Sequence, residues 1–225
     1  MQKSILIVAA HPDDEVLGCG GTIAKHTAAG DDVHILIVAE GATSRDGTSQ
    51  EIVSILKECA AEAALILGAK PPIMLGFPDN RLDSMDRLDV IKAIEGHVDK
   101  IGPNTIYTHH GGDLNIDHRI VHEAVITACR PVPGSRVKQV FSFETVSSTE
   151  WATPSIGQEF SPNHFVRISA QMETKFHAIE AYKTEMRPFP HARSLKSVAA
   201  LARLRGSQVG VEEAEAFRTE LEIID

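Results

Sequence analysis

The stretch AAHPDDEVLGCGG, residues 9–21, sets His11, the consecutive acids Asp13, Asp14 and Glu15, and a run of glycines where an apolar segment ends. A chain that only had to turn from strand to helix would use Gly, Asn or Ser, without concentrating negative charge at one point. The charge implies a cation held against it. A second polar stretch, HHGGDLNIDH at 109–118, follows another apolar run. Imidazole and carboxylate suit zinc, and a catalytic zinc takes about three protein ligands and keeps one position for water. His11, Asp14 and His118 supply such a set. Asp13 is then the adjoining carboxylate left to take a proton from a water whose pKa the ion lowers toward about 7.

These clusters need elements that bring them together. SILIVAA (4–10) and DVHILIVAE (32–40) are continuous β-branched runs, as in parallel strands covered on both faces. Between them TIAKHTAAG reads as a short helix stopped by Gly30, giving a right-handed β-α-β start. A helix over about 50–67, a strand in PIMLGF, a helix over about 86–100, the strand TIYTH (105–109) and a helix from about Asp117 to before Pro131 continue the alternation. This pattern predicts a Rossmann-like, doubly wound α/β fold: a mostly parallel sheet with helices on both faces. After Pro133 come the strand-like KQVFSFETV and HFVRISA, then helices over about 171–185 and 194–205. One domain is expected over 1–225, with its core at about 1–145 and C-terminal strands and helices at about 146–225. In such sheets ligands collect beyond the carboxyl ends of strands where the winding reverses, so the two polar clusters are expected to meet there.

Bulk composition narrows the partners. With 31 acidic against 22 basic residues the formal charge is −9, which repels phosphate backbones and anionic lipid, so neither nucleic acid nor membrane is expected as a partner. Cys19, Cys59 and Cys129 are far apart and in no C-x-x-C spacing, which fits a cytoplasmic protein without disulfides or thiolate zinc. Gly18, Gly20 and Glu40 suggest a dinucleotide-binding rival, but position 23 is Ile and the glycines lie well past the strand. A second rival is a non-catalytic metal- or sugar-binding module, against which the complete set of His11, Asp13, Asp14 and His118 argues.

AHPDDEVLGCGGTIAKH resembles the first signature of the LmbE-like zinc N-deacetylases, the family that includes the deacetylase of N-acetylglucosaminyl-phosphatidylinositol, and DLNIDHR resembles its second. The similarity continues through LGFPDNRL (75–82), FETVSSTEW (143–151) and KSVAALARLRGSQVGVEEAEAF (196–217). It implies a Rossmann-like hydrolase that removes the acetyl group from a small amino sugar or sugar conjugate and assembles as a homo-oligomer. It also implies Zn2+, or another divalent transition metal such as Fe2+, on His11, Asp14 and His118, with Asp13 as the general base that later protonates the departing nitrogen. His118 is favoured over His122, one helical turn on, because it lies nearer the strand end and matches the motif. One departure stands out: many members carry a second histidine three residues before the metal-binding one, assisting the oxyanion, and this chain has Asn115. An amide can donate a hydrogen bond but carries no charge. Asn115, His110 and His191, in that order, are the candidates for the oxyanion donor, with Asp117 orienting whichever serves.

Arg45, Asp79, Asn80 and Arg193 are read either as substrate contacts or as ordinary turn and surface residues, with Arg193 facing a substrate or a subunit. Glu15 is read as a hydrogen-bond acceptor at the helix start or a substrate contact. Gly18, Gly20 and Gly21 are expected to let backbone or ligand approach closely. His26, His34, His97, His164 and His177 stand alone and are read as structural or exposed.

Overall fold

The computed structural model describes residues 2–44, 47 and 50–224. The described strands are β1 (Ser4–Ala9), β2 (Asp32–Ala39), β3 (Ile73–Phe77), β4 (Thr105–His109), β5 (Gln139–Phe143), β6 (His164–Arg167) and β7 (Ala214–Glu222). The described α-helices are α1 (Asp14–Ala28), α2 (Gln50–Ile66), α3 (Arg87–Ile101), α4 (Ile116–Ala128), α5 (Met172–Ala181) and α6 (Leu195–Ser207). The strands form one sheet in the order β3-β2-β1-β4-β5-β7-β6. β1 to β5 run parallel, and β7 is antiparallel to both neighbours.

Successive side chains of a strand point to opposite faces, and β1 divides accordingly. Ile5, Ile7 and Ala9 pack with Ile23 of α1, Leu56 of α2 and Ile179 of α5. Leu6 and Val8 pack with Ile94 of α3 and Val121 of α4. Both faces are thus covered by helices, as the apolar runs predict. The chain winds outward from β1 through β2 to β3 and then crosses back to β4 on the other side of β1, so the winding reverses between β1 and β4.

The expected α1 is corrected at its start, which is Asp14 rather than Thr22. The helix is interrupted at Cys19 (φ −144°, ψ 23°). At this break the amides of Gly21 and Thr22 donate to the Glu215 carboxylate at 2.9 and 2.7 Å. Lys175 donates to the Leu17 carbonyl at 3.0 Å and pairs with Glu215 at 2.6 Å. A buried ion pair from α5 and β7 therefore supplies the hydrogen bonds the kinked helix lacks. The glycines are corrected as well. A Cβ on Gly18 would enter the Phe143 ring, and one on Gly21 would sit 2.8 Å from Ile168, so both positions seat apolar side chains rather than backbone or ligand.

Gly18→Ala therefore sets two effects against each other. Alanine in a helix gains about 0.5–1 kcal/mol over glycine, but overpacking a filled core costs about 1–3 kcal/mol. The expected result is a lower melting temperature, by roughly 2–4 °C per kcal/mol lost at this chain size. Thermal unfolding that shows no decrease would contradict the Phe143 contact.

β7 was not anticipated. AEAFRTELE is rich in Ala and Glu, which favour helices, and it becomes a strand because β5 and β6 pair with it on both sides.

Candidate active site

The turn between β1 and α1 presents the first cluster. Asp13 adopts φ 105° and its side chain makes no capping hydrogen bond, so the carboxylate is available to the cavity. That left-handed backbone costs roughly 1–2 kcal/mol in a residue with a Cβ. Glu15 holds the turn by accepting from the Asp13 amide at 3.1 Å and from the Tyr182 hydroxyl at 2.6 Å, a structural role. The Ala10 amide donates to Nε2 of His109 at 2.8 Å, tying the end of β4 to the end of β1. The second cluster is set by α4, where Asn115 caps the helix by accepting from the Asp117 amide at 2.8 Å. Asp117 and His118 thereby occupy the first turn, facing the β1 loop.

Nδ1 of His11 and Nε2 of His118 lie 3.3 and 3.2 Å from the same carboxylate oxygen of Asp14. One donor atom from each of the three residues falls within 4.8 Å of the others, and all three residues are buried. The second Asp14 oxygen is buried without a hydrogen-bond partner among the described residues. A buried carboxylate with an unsatisfied oxygen, facing two imidazole nitrogens, is the donor set a divalent transition metal takes. The residues present fit such an ion.

Carboxylates surround this set. Nε2 of His11 lies 3.1 Å from Asp117 and 3.2 Å from Asp79, and these three form a second cluster able to hold a cation. Asp117 is fixed by accepting from the amides of Asn80 at 2.7 Å and Leu82 at 3.0 Å. Nδ1 of His118 is 3.1 Å from Asp113, which Ser148 and Thr149 hold through their hydroxyls. Carboxylates behind the imidazoles fix ring orientation and raise ligand basicity.

The titration of the site reflects this crowding. Burial pushes Asp13 up to about 7, opposed by the neighbouring Arg193 guanidinium. Burial works upward on Asp14 too, but His118, His109 and His11 hold it well below the usual range. Burial works against protonated His11, yet hydrogen bonds to Asp117 and Asp14 and the charges of Asp14 and Asp79 raise it to about 10. A cation arriving here displaces protons from carboxylate-paired imidazoles.

The cavity, about 110 Å³, is lined by His11, Asp13, Asn80, Asn115, His118 and Arg193 among others. Pockets that bury a drug-sized ligand run to roughly 300–1,000 Å³. This one is smaller than that range.

Several expected residues are placed otherwise. His110 lies outside the cavity, with Nε2 2.7 Å from the Gln158 carbonyl and its ring edge against Phe160. His191 also lies outside it, accepting from the Arg193 amide at 3.0 Å, with its ring against Trp151. Asn115 lines the cavity, but its amide group donates to Asn80 at 3.0 Å. The Asp117 carboxylate turns to His11 and the loop after β3 instead of orienting Asn115, His110 or His191. Arg193, by contrast, reaches the site and donates to Asp13. His122 faces the His109 carbonyl at 2.8 Å. Arg45 lies outside the described residues.

His109 and Asp113 were not anticipated as site residues. His109 stacks on His118 with ring centroids 3.9 Å apart and lies 3.4 Å from Asp14. Its position as the last residue of β4 was the available signal, since ligands gather at that end of the strand.

A doubly wound fold with a His/Asp cluster at its switch point defines a class of metal-site α/β proteins. The family model described as PIG-L, GlcNAc-PI de-N-acetylase, matches residues 6–129, more than half of the chain and both polar clusters. The chain belongs to this family, and with it to the hydrolytic N-deacetylases. It is 29% identical over 180 residues to an uncharacterized deacetylase, YaiS, of Escherichia coli (strain K12), covering 77% of this chain and 91% of that one. It is 27% identical over 194 residues to a probable N-acetyl-alpha-D-glucosaminyl L-malate deacetylase 2 of Bacillus cereus, covering 82% and 84%. Among solved structures, N,N'-diacetylchitobiose deacetylase from Pyrococcus horikoshii superimposes with a TM-score of 0.80 at 23% identity, covering 97% of this chain and 84% of that one. No described helix is long and apolar enough to cross a membrane.

Proposed function

We propose that this chain removes the acetyl group from an N-acetylated amino sugar or sugar conjugate, using zinc, or a similar divalent ion such as Fe2+, on His11, Asp14 and His118. The observation that carries this reading is the Asp14 carboxylate, set between two imidazoles with one oxygen unsatisfied and Asp13 beside it. An ion bound there would polarise the acetyl carbonyl and acidify a water molecule. Asp13 accepts the proton of the attacking water and returns it to the departing nitrogen, a role suited to a carboxyl poised near neutral pH. Asp117 hydrogen-bonds the His11 ring, and Asp113 lies behind the His118 ring. The sugar assignment is supported by the acetylglucosaminyl and chitobiose substrates named for the Bacillus and Pyrococcus relatives. The small cavity adds support, since an acetamido group enters while the rest of the substrate stays at its mouth.

The test is acetate release from N-acetylglucosamine, an N-acetylglucosamine disaccharide and N-acetylglucosaminyl conjugates of small acids, with the protein loaded with zinc. At least one is expected to yield acetate and a free amine in equal amounts. Folded, zinc-loaded protein that releases acetate from none of them overturns the reading.

A further inference from the structure

We propose that Arg193 is a catalytic residue of this deacetylation, its guanidinium pairing with Asp13 before the reaction and with the substrate's oxyanion during it. The inference rests on the deacetylation reading above. Water attack on an acetamide places a negative charge on the former carbonyl oxygen, and a preorganised donor at that point is commonly the largest contribution a protein makes to the rate. The donors expected from the sequence do not fill this place. The Asn115 amide group gives one N–H to Asn80 and carries no charge, and His110 and His191 lie outside the cavity. Among the described residues that line the cavity, Arg193 is the one with a permanent positive charge.

Its placement is firm. Nε donates to the Ser147 hydroxyl at 2.7 Å, one terminal nitrogen donates to Asp13, and Glu185 lies 3.8 Å away. Its backbone is held on both sides, because its amide donates to His191 at 3.0 Å and its carbonyl accepts from the Arg187 amide at 3.2 Å. The next residue, Ser194, caps α6. A planar fork anchored through Nε and its backbone needs little rearrangement to serve an oxygen beside Asp13.

The charges balance through the cycle. In the first step an O–H bond of water breaks and its proton goes to Asp13. The water oxygen bonds to the carbonyl carbon, and the π pair moves to the carbonyl oxygen. One unit of negative charge thereby leaves Asp13 and appears on the substrate, and the guanidinium donor that Asp13 held is released to that oxygen. In the second step the oxygen pair reforms C=O and the C–N bond breaks. The nitrogen takes the proton from Asp13 and leaves as the amine beside acetic acid, which becomes acetate by passing its own proton to the amine or to water. Asp13 is again a carboxylate, paired with Arg193. The cation stays while the anion moves between two partners.

The full-length Arg193→Ala and Arg193→Lys proteins test this. Arg193→Ala is expected to lose about 10²–10³-fold in kcat, the range for removing one oxyanion donor, with little change in KM. Millimolar guanidinium is expected to restore part of that kcat, and to restore none in Asp13→Asn. Arg193→Lys keeps the charge without the fork and is expected to fall between the two. A binding measurement separates catalysis from structure. Affinity for a methylphosphonamidate of glucosamine, a tetrahedral anion, should weaken with kcat, whereas affinity for glucosamine should not. An Arg193→Ala protein with near-normal kcat overturns the proposal. So does a loss of activity that guanidinium does not rescue and that leaves phosphonamidate binding unchanged. Failure of the wild-type protein to release acetate refutes the deacetylation reading instead, so the two failures are distinguishable.

Discussion

Asp13→Asn is expected to lower kcat by about 10²–10⁴-fold, the range associated with a positioned general acid–base group, while the protein stays folded and keeps its metal. The substitution isolates the proton. Asparagine tolerates the left-handed backbone that residue 13 adopts, at φ 105°, and it preserves the side chain's shape beside Arg193. Asp13 is not one of the clustered donors His11, Asp14 and His118, so their geometry has no reason to change. What disappears is a carboxylate that burial has moved to about 7. Steady-state kinetics with metal analysis of the same sample provides the check. Wild-type turnover in Asp13→Asn would exclude Asp13 as the base.

Glu215→Ala is expected to destabilise the fold by about 3–5 kcal/mol, the cost of leaving one member of a buried ion pair without its partner. Lys175 and Glu215 are both buried, and the Glu215 carboxylate also receives the two amides that the kink in α1 leaves without helical partners. Removing it leaves an unpaired ammonium and unsatisfied backbone at one point. The double variant Lys175→Met/Glu215→Leu is expected to recover part of the loss, because a well-packed apolar pair can replace a buried ionic one. The backbone amides stay unpartnered, so recovery should be incomplete. Urea unfolding of the three proteins measures this, and a Glu215→Ala loss below about 1 kcal/mol, the level of an exposed pair, would contradict the picture of a buried plug.

The parallel half of the sheet was legible because its strands are buried on both faces. SILIVAA and DVHILIVAE have no polar alternation, and the helices between such runs end at glycine or proline. The sequence was silent where tertiary contacts overrode local preference. The glycines at 18, 20 and 21 lower helical propensity, so the first half of α1 looked like loop. Glu215, 194 residues after Gly21, and Lys175 explain how the kinked backbone is satisfied. β7 looks helical by composition and is a strand because of its neighbours.

The site divides in the same way. His11, Asp13, Asp14 and His118 were readable because their types and spacing follow the ends of two strands. His109 was not, because only its place at the very end of β4 separates it from His110, and no spacing ties it to His118. In the structure one ring packs on His118 and the other turns to Gln158. Arg193 lies 180 residues from Asp13, and no local pattern connects them.

Anomalous X-ray diffraction from crystals of the zinc-loaded protein, collected on both sides of the zinc edge, tests the central claim most directly. One peak is expected about 2.0–2.2 Å from a nitrogen of His11, a nitrogen of His118 and an oxygen of Asp14. A peak seated instead between His11, Asp79 and Asp117, or none in the cavity at full zinc loading, would contradict it.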